Sequence, residues 1–514
     1  VHSLVDPRRE GERLAATVQD AGLVVALGLG AGWHLRPLLA RADLAGLVVL
    51  ERDPQALAAL LAGADLRDVL ADPRVLIAAG EPPPRVRALV LQAYSPLLCG
   101  GLRALQLRPW CEAAPRWADA TAAAVRDAAD DARADFATQA RFGRRWFANI
   151  LGNLPLAGGS QAELPRSRRA MIAAAGPSLE GQLQRIAERR RDVLLLSVDT
   201  ALPALEAAGI RPDLVVSIDC QVHGAYHFYG ARARQELLVL DLASPPALAR
   251  MVSRRAFAAG GHPLCRLLAS RWRPFPLVDV SGGNVTHAAV SLACLLGARE
   301  ITVAGADYSY PDGKPYARGT YLYDFFGCRA GRLAPTEASF FAFLHRSAGT
   351  ERQRTGEGFR YTTPLLRAYR DSLQALAARL PARLSGMPGK GLRLDFPQGE
   401  AGEGPDLPVE AADDPVPRQP LDWRGLLGWY ADSLRGAPAP TAPLAPWLAG
   451  LAPPWRESWQ TLLPGAAFEL REALADGNAT GPLHGAAALE RAREWALARV
   501  SRVLSEDDPR VSHE

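Results

Sequence analysis

The chain has 514 residues, too many for one hydrophobic core, so two or three domains are expected. Hydrophobic residues make up 48% and charged residues 22%, as in an ordinary globular protein, and a formal net charge of +4 speaks against the dense basic face of a nucleic-acid binder. The six cysteines (Cys99, Cys111, Cys220, Cys265, Cys294 and Cys328) form no CxxC pair and have no histidine at ligand spacing, so their pattern indicates neither a zinc site nor a disulfide framework.

The opening Val1-His2-Ser3-Leu4-Val5-Asp6-Pro7 lacks the basic and apolar regions of a secretory signal, and no apolar run reaches the roughly 18 residues that span a bilayer. A cytoplasmic protein without membrane insertion is the expectation. Two apolar runs, Leu23 to Leu27 and Leu47 to Leu50, flank the glycine turn Gly28-Leu29-Gly30-Ala31-Gly32. This predicts a small Rossmann-like α/β domain over 1–115. Glu51 after the second strand resembles the acidic residue that holds ribose hydroxyls in S-adenosylmethionine and dinucleotide domains. A scaffold without a cofactor gives the same pattern, and both readings stay open here. Residues 116–160 are rich in Ala and Arg, with Trp117, Ala120, Ala124, Ala128 and Ala132 on one stripe, and predict a helical connector.

From Met171 the pattern alternates between strand and helix. Apolar runs at Met171 to Ala175, Val193 to Val198, Leu214 to Ile218, Leu237 to Leu240, Leu277 to Val280 and Ile301 to Ala304 predict strands, with helices at Leu179 to Arg190 and Val285 to Leu296 among the connections. Continuous apolar strands joined by helices imply a mostly parallel sheet covered on both faces. The fold class is therefore α/β: a central Rossmann-like domain over 165–395, a smaller N-terminal α/β domain and a C-terminal helical domain. The acidic, Gly- and Pro-rich stretch at 397–420 reads as a linker, and 421–514 as the helical domain.

In a parallel sheet, ligands bind at the carboxyl ends of the strands. The first strand ends in Gly176-Pro177-Ser178, with Ser178 at the N-cap position of a helix whose free N–H groups suit a phosphate. The second and third strands end in Asp199 and Asp219, which could cap helices, hold ribose hydroxyls or a base edge, or bind a metal ion. Ser281-Gly282-Gly283-Asn284 opens another helix and forms a second anion-ready turn. Asp307, Tyr308, Tyr310, Lys314 and Tyr316 follow the last strand; tyrosine hydroxyls and a lysine suit a departing phosphate.

Taken in order, Gly176-Pro177-Ser178-Leu179, Val198-Asp199, Pro212-Asp213 with Ser217-Ile218-Asp219, Ser281-Gly282-Gly283-Asn284 and Gly305-Ala306-Asp307-Tyr308 resemble the catalytic domain of the motility accessory factors (Maf). That domain is similar to the family 42 sialyltransferases and is shared with archaeal 6-hydroxymethyl-7,8-dihydropterin pyrophosphokinases. The flanks, among them Arg141-Phe142-Gly143-Arg144-Arg145-Trp146-Phe147 with Asn149 and Asn153, look like those of Maf proteins.

The resemblance implies transfer of a nonulosonic acid (pseudaminic or legionaminic type) from its CMP ester to Ser or Thr of flagellin, in the cytoplasm, in support of flagellar assembly and motility. By similarity, Gly176, Pro177 and Ser178 would approach the nucleotide, with Asp199 and Asp219 on ribose or sugar. Ser281, Gly282, Gly283 and Asn284 would line the cytidine phosphate, and Tyr310 and Tyr316 would hold the leaving phosphate. The sialyltransferases commonly carry Asn at the positions of Asp199 and Asp219, so a divalent cation such as Mg²⁺ is an alternative there. An acceptor hydroxyl must lose a proton, and the candidate general bases are Asp219, Asp307, His223, Glu337 and His345. Three other functions fit less of the pattern: an ATP- and Mg²⁺-dependent pterin pyrophosphokinase, a non-catalytic flagellin-binding module, and a methyltransferase built on the N-terminal turn.

Overall fold

A computed structural model describes residues 5–159, 161–228, 236–356, 358–396, 422–475 and 483–506. The linker expected at 397–420 lies outside these residues. The chain divides into two compact units, 1–144 with 427–514, and 145–426.

Among the described residues, the first unit holds a parallel sheet of β1 (Ala21–Leu27), β2 (Gly46–Glu51), β3 (Val75–Ala79) and β4 (Gly101–Gln106), in the order β3-β2-β1-β4. Alternation along β1 and β2 fills two cores. Val24, Ala26, Leu47 and Val49 face one side, and Leu23, Val25, Leu27, Val48 and Leu50 the other. The outer strands β3 and β4 are only half-buried, which is why their runs carry a weaker apolar signal. A helix spans Pro115–Gly158; Ala118, Ala122, Val125 and Ala128 of its first part join the second core, whereas Ala120 is exposed and lies off the buried stripe. The same unit contains the helices Leu444–Gly450, Pro453–Gln460, Leu463–Ala475 and Leu483–Glu506, with Trp459 fully buried among them. Arg144 pairs there with Glu469 and lies over the rings of Phe468 and Trp495.

The second unit is built on β5 (Arg169–Ala173), β6 (Leu194–Val198), β7 (Leu214–Ser217), β8 (Leu237–Asp241), β9 (Arg255–Ala258), β10 (Glu300–Ala304), β11 (Tyr310–Pro311), β12 (Glu351–Thr355), β13 (Gly358–Thr362) and β14 (Arg383–Gly386). Among the described residues seven of these form one parallel sheet, in the order β14-β10-β5-β6-β7-β8-β9. Every residue of β6, β7 and β8 is buried, as strands covered on both faces require. The chain steps outward from β5 to β9 and then returns to place β10 on the other side of β5. The switch point therefore lies between β5 and β10, where the carboxyl ends open a crevice. Strands β11, β13 and β12 form a small antiparallel sheet.

The strand expected at Leu277 to Val280 is not formed. Leu277 makes only an isolated bridge to Ala259, through Ala259 N–H to the Pro276 carbonyl at 2.9 Å and Val278 N–H to the Ala259 carbonyl at 3.0 Å. Pro274 and Pro276 lack the N–H groups that would continue the ladder. Strands β9 and β14, four residues each, are too short to stand out as apolar runs.

Candidate functional site

At the switch point the loops after β5 and β10 are locked together. Ser178 donates its backbone N–H to one oxygen of Asp307 at 2.7 Å and its hydroxyl to the other at 2.5 Å. Lys390 N–H in turn donates to the Ser178 hydroxyl at 2.8 Å, and Leu392 N–H to the Asp307 carbonyl at 2.8 Å. Ser178 thus makes no side-chain cap on helix Leu179–Arg189, contrary to its position in the sequence; the carboxylate is the stronger acceptor and the hydroxyl turns toward it. Asp307 is buried, which raises its pKa against the lowering effect of Ser178. Close packing depends on glycine: a Cβ at Gly176 would stand 2.4 Å from the Gly305 carbonyl oxygen, and Gly305 itself has φ +64°. Gln182 braces the turn by accepting from Gly305 N–H and donating to the Pro388 carbonyl, both at 2.7 Å.

Asp199 and Asp219 stand at the ends of β6 and β7. Asp199 is buried, with one oxygen accepting from Thr200 N–H at 2.7 Å and the other from the Ser217 hydroxyl at 2.7 Å. Both of its oxygens are committed, which does not suit a cation ligand. Asp219 is half-buried and accepts from Gln221 N–H through one oxygen at 2.9 Å. Its loop is fixed from the helix at 145–158. Asn149 donates to the Cys220 carbonyl at 3.0 Å and the Ala243 carbonyl at 2.8 Å, and buried Asn153 donates to the Leu242 and Ser244 carbonyls at 2.8 Å each. Among the described residues, no group of three His, Cys, Asp or Glu side chains is arranged to hold a metal ion.

The Ser281–Asn284 turn is shaped by a neighbour the sequence reading passed over. Asp279 accepts from Ser281 N–H at 2.9 Å and the Ser281 hydroxyl at 2.6 Å, while its pKa is held far below the usual carboxylate range, first by His287 and then by these bonds. Asn284 caps helix Val285–Leu295 by accepting from His287 N–H at 3.0 Å. A Cβ at Gly283 would come within 3.2 Å of the Tyr369 ring.

Tyr369 is one of several groups around the strand ends that sequence reasoning did not find. Burial raises the pKa of Tyr369, with smaller contributions from Tyr310 and Asp219. The same holds for Tyr316, where Tyr310, Tyr321 and Asp199 add to burial and Arg346 opposes them, and for Tyr321, whose neighbours include Asp199 and Asp219. The His227 ring packs edge-on to Tyr321 at 4.8 Å and its Nε2 lies 3.3 Å from the Thr200 hydroxyl. Tyr316, Tyr321 and Tyr369 are thus electrostatic neighbours of the carboxylates at the ends of β6 and β7, and Tyr310 neighbours Tyr316 and Tyr369. Tyr310 and Tyr316 belong to the stretch that the sequence singles out, whereas Tyr321 and Tyr369 lie on the helices Tyr321–Gly327 and Pro364–Ala377, which no strand-end motif includes.

Other expected residues lie elsewhere. The Tyr308 ring joins the hydrophobic core, its backbone at φ +45°. Lys314 is paired with Glu180 at 2.9 Å. His223, Glu337 and His345 are exposed, and the His345 ring packs on Phe341 at 4.0 Å. An open groove at the amino ends of β6 and β7, lined by Arg190, Arg191, Arg211 and Asp213, lies at the other end of the strands from these loops, and Arg190 there forms a two-pronged pair with Asp213.

In the N-terminal unit, Glu51 is buried and accepts from Leu29 N–H and from the Trp110 indole N–H at 2.9 Å. Burial raises its pKa against these bonds. Trp110 also fills the space beside Gly28, where a Cβ would stand 2.8 Å from the indole. The carboxylate that would take ribose hydroxyls is thus engaged within the fold.

Comparison with known proteins agrees with this architecture. Residues 148–313 match the family model described as 6-hydroxymethylpterin diphosphokinase MptE-like. Three uncharacterized proteins of Treponema pallidum (strain Nichols) are 40% identical over 114 residues, 34% over 135 and 31% over 152. These matches take in 22%, 26% and 27% of this chain and 40%, 64% and 39% of the relatives, so less than two thirds of each relative is spanned. The solved structure of the Maf glycosyltransferase from Magnetospirillum magneticum AMB-1 superposes with a TM-score of 0.57 at 16% identity, covering 99% of this chain and 85% of its own. The chain has the fold of that Maf glycosyltransferase, and its MptE-like stretch supplies the strand-end loops of the switch-point site.

Proposed function

We propose that this protein is a glycosyltransferase that moves a nonulosonic acid from its CMP ester to Ser or Thr of flagellin. The observation that carries this reading is the cluster of Tyr310, Tyr316, Tyr321 and Tyr369, of which Tyr316, Tyr321 and Tyr369 neighbour Asp199 or Asp219 at the carboxyl ends of β6 and β7. The Maf-like fold supports it. Burial keeps these phenols protonated, so they are hydrogen-bond donors suited to a phosphate that gains charge as it departs. The glycine turns at Gly176 and Gly282–Gly283 take the nucleotide. Asp219, with one carboxylate oxygen uncommitted to its own loop, takes the proton from the acceptor hydroxyl as the bond to the sugar forms and the bond to CMP breaks. Asp307, bound through both oxygens to Ser178, holds the site together.

A second reading, pterin diphosphokinase, is favoured by the family-model match over 148–313. It requires ATP and Mg²⁺, and the committed oxygens of Asp199 leave it with a poorer cation site. The deciding assay incubates the protein with flagellin and CMP-pseudaminic or CMP-legionaminic acid and measures intact flagellin mass. A mass gain of whole sugar residues with release of CMP is expected. No gain with either donor overturns the first reading, and AMP formed from ATP and 6-hydroxymethyl-7,8-dihydropterin establishes the second.

A further inference from the structure

Helix Thr336–Leu344 is followed by His345 and Arg346, on the stretch between β11 and β12. The Arg346 guanidinium lies 3.6 Å from the centroid of the Phe343 ring, and that ring stands 6.5 Å from Tyr310 and 6.4 Å from Tyr316. The cation is therefore seated on an aromatic face at the rim of the tyrosine cluster. Its charge also opposes the upward push that burial gives the hydroxyls of Tyr310, Tyr316 and Tyr321. Two lysines near the strand ends are neutralised, Lys314 by Glu180 at 2.9 Å and Lys390 by Asp312 at 3.1 Å. Among the described residues no carboxylate pairs with Arg346, and the side chain is open to solvent.

A planar guanidinium held against a ring, facing neutral hydroxyl donors and lacking a protein counter-ion, is suited to an anion of the substrate. Its fork matches a carboxylate in a two-pronged contact, and stacking restricts the side chain so that less freedom is lost on binding. A sugar acid esterified to CMP carries two anionic groups, its phosphate and its own carboxylate. The tyrosine hydroxyls and the glycine turns already serve the phosphate. We propose that Arg346 binds the carboxylate of the donor sugar acid and so selects acidic sugars, an assignment that rests on the glycosyltransferase reading.

The test is calorimetry with two probes, CMP alone and a CMP-nonulosonate fluorinated beside the anomeric carbon so that it is not transferred. In Arg346→Ala the affinity for the intact donor analogue falls by about tenfold or more, while CMP binds as in the wild type. Arg346→Lys, which keeps the charge and loses the fork, restores part of the difference. Equal weakening of CMP and donor places the contact on the phosphate and overturns the proposal, and unchanged binding of both also overturns it. Those failures leave the glycosyltransferase reading intact. A wild-type protein that binds neither probe overturns both. Circular dichroism confirms that the variants are folded.

Discussion

Ser178 and Asp307 are joined by two hydrogen bonds, N–H to carboxylate at 2.7 Å and hydroxyl to carboxylate at 2.5 Å, across the point where the sheet reverses its strand order. They are 129 residues apart in the chain, and the pair fixes the β5 loop against the β10 loop. Asp307→Asn and Ser178→Ala should each destabilise the second unit by about 1–3 kcal/mol, the cost of breaking a buried charge-assisted contact. The double variant should cost less than the sum, because both changes remove the same interaction. Urea denaturation of the two singles and the double checks this. If Asp307 were instead the general base, Asp307→Asn would abolish transfer and leave stability unchanged.

Two glycines of the second unit, Gly305 in the crevice and Gly209 outside it, differ in a testable way. Gly305 has φ +64° and a Cβ there would stand 2.3 Å from the Ala174 carbonyl oxygen, whereas Gly209 has φ +71° and open space around it. Gly209→Ala should cost about 1 kcal/mol, the price of a left-handed backbone alone. Gly305→Ala should cost clearly more, because backbone must move. Melting temperatures of the two variants compared with wild type decide the matter, and equal losses would contradict the clash.

Asn149 and Asn153 hold the loops after β7 and β8 through four carbonyl groups. Asn153 is fully buried, and Asn153→Ala should lower stability by about 2–3 kcal/mol by leaving acceptors without donors. Asn149 grips Cys220, next to Asp219, and acts as a positioning residue. Asn149→Ala should lower kcat per active site, with active sites counted by CMP binding in calorimetry, because loss of folded protein alone lowers the apparent kcat and leaves kcat per active site unchanged.

Asp219→Asn keeps the shape of the loop and removes the proposed proton acceptor. Transfer to flagellin should slow by about 10²- to 10⁴-fold. CMP affinity should stay close to that of the wild type in calorimetry. Intact-mass kinetics measure the first quantity, and undiminished transfer would send the search for the base to His227.

Asp241 is buried at the end of β8 and its pKa is pushed up to about 6 by burial, against the lowering effect of Ala243 and Gly260 N–H groups. A carboxyl whose folded pKa lies above its unfolded value of 3.8 stabilises the fold most at low pH, and that contribution is lost as pH rises through about 6. Raising the pH from 4 to 7 should therefore destabilise the wild type relative to Asp241→Asn by about 2 kcal/mol, on the order expected for such a shift. Taking the difference cancels other titrating groups, including His262, whose pKa burial lowers to about 3. Chemical denaturation across that range provides the measurement, and a constant difference would contradict the assignment.

The α/β class and most of the central strands are legible in the amino-acid sequence, because β6, β7 and β8 are buried on both faces and their apolar runs are uninterrupted. So are the polar strand ends at Gly176–Ser178, Asp199, Asp219 and Ser281–Asn284, since glycine turns and acidic residues after apolar runs are local signals. Tertiary structure alone decided what each of those groups touches. Asp307 turned out to be bound to Ser178 and Lys314 to Glu180, pairings across 129 and 134 residues that no spacing encodes. Tyr321, Arg346 and Tyr369 lie beyond the strand-end motifs and reach the site only because the chain folds back after β10. Glu51 shows the same division at the other end of the chain. Its place at the end of β2 is written in the sequence, but its engagement by Leu29 and Trp110 depends on a short helix, Arg108–Ala113, 59 residues away at Trp110, coming to rest over the glycine turn.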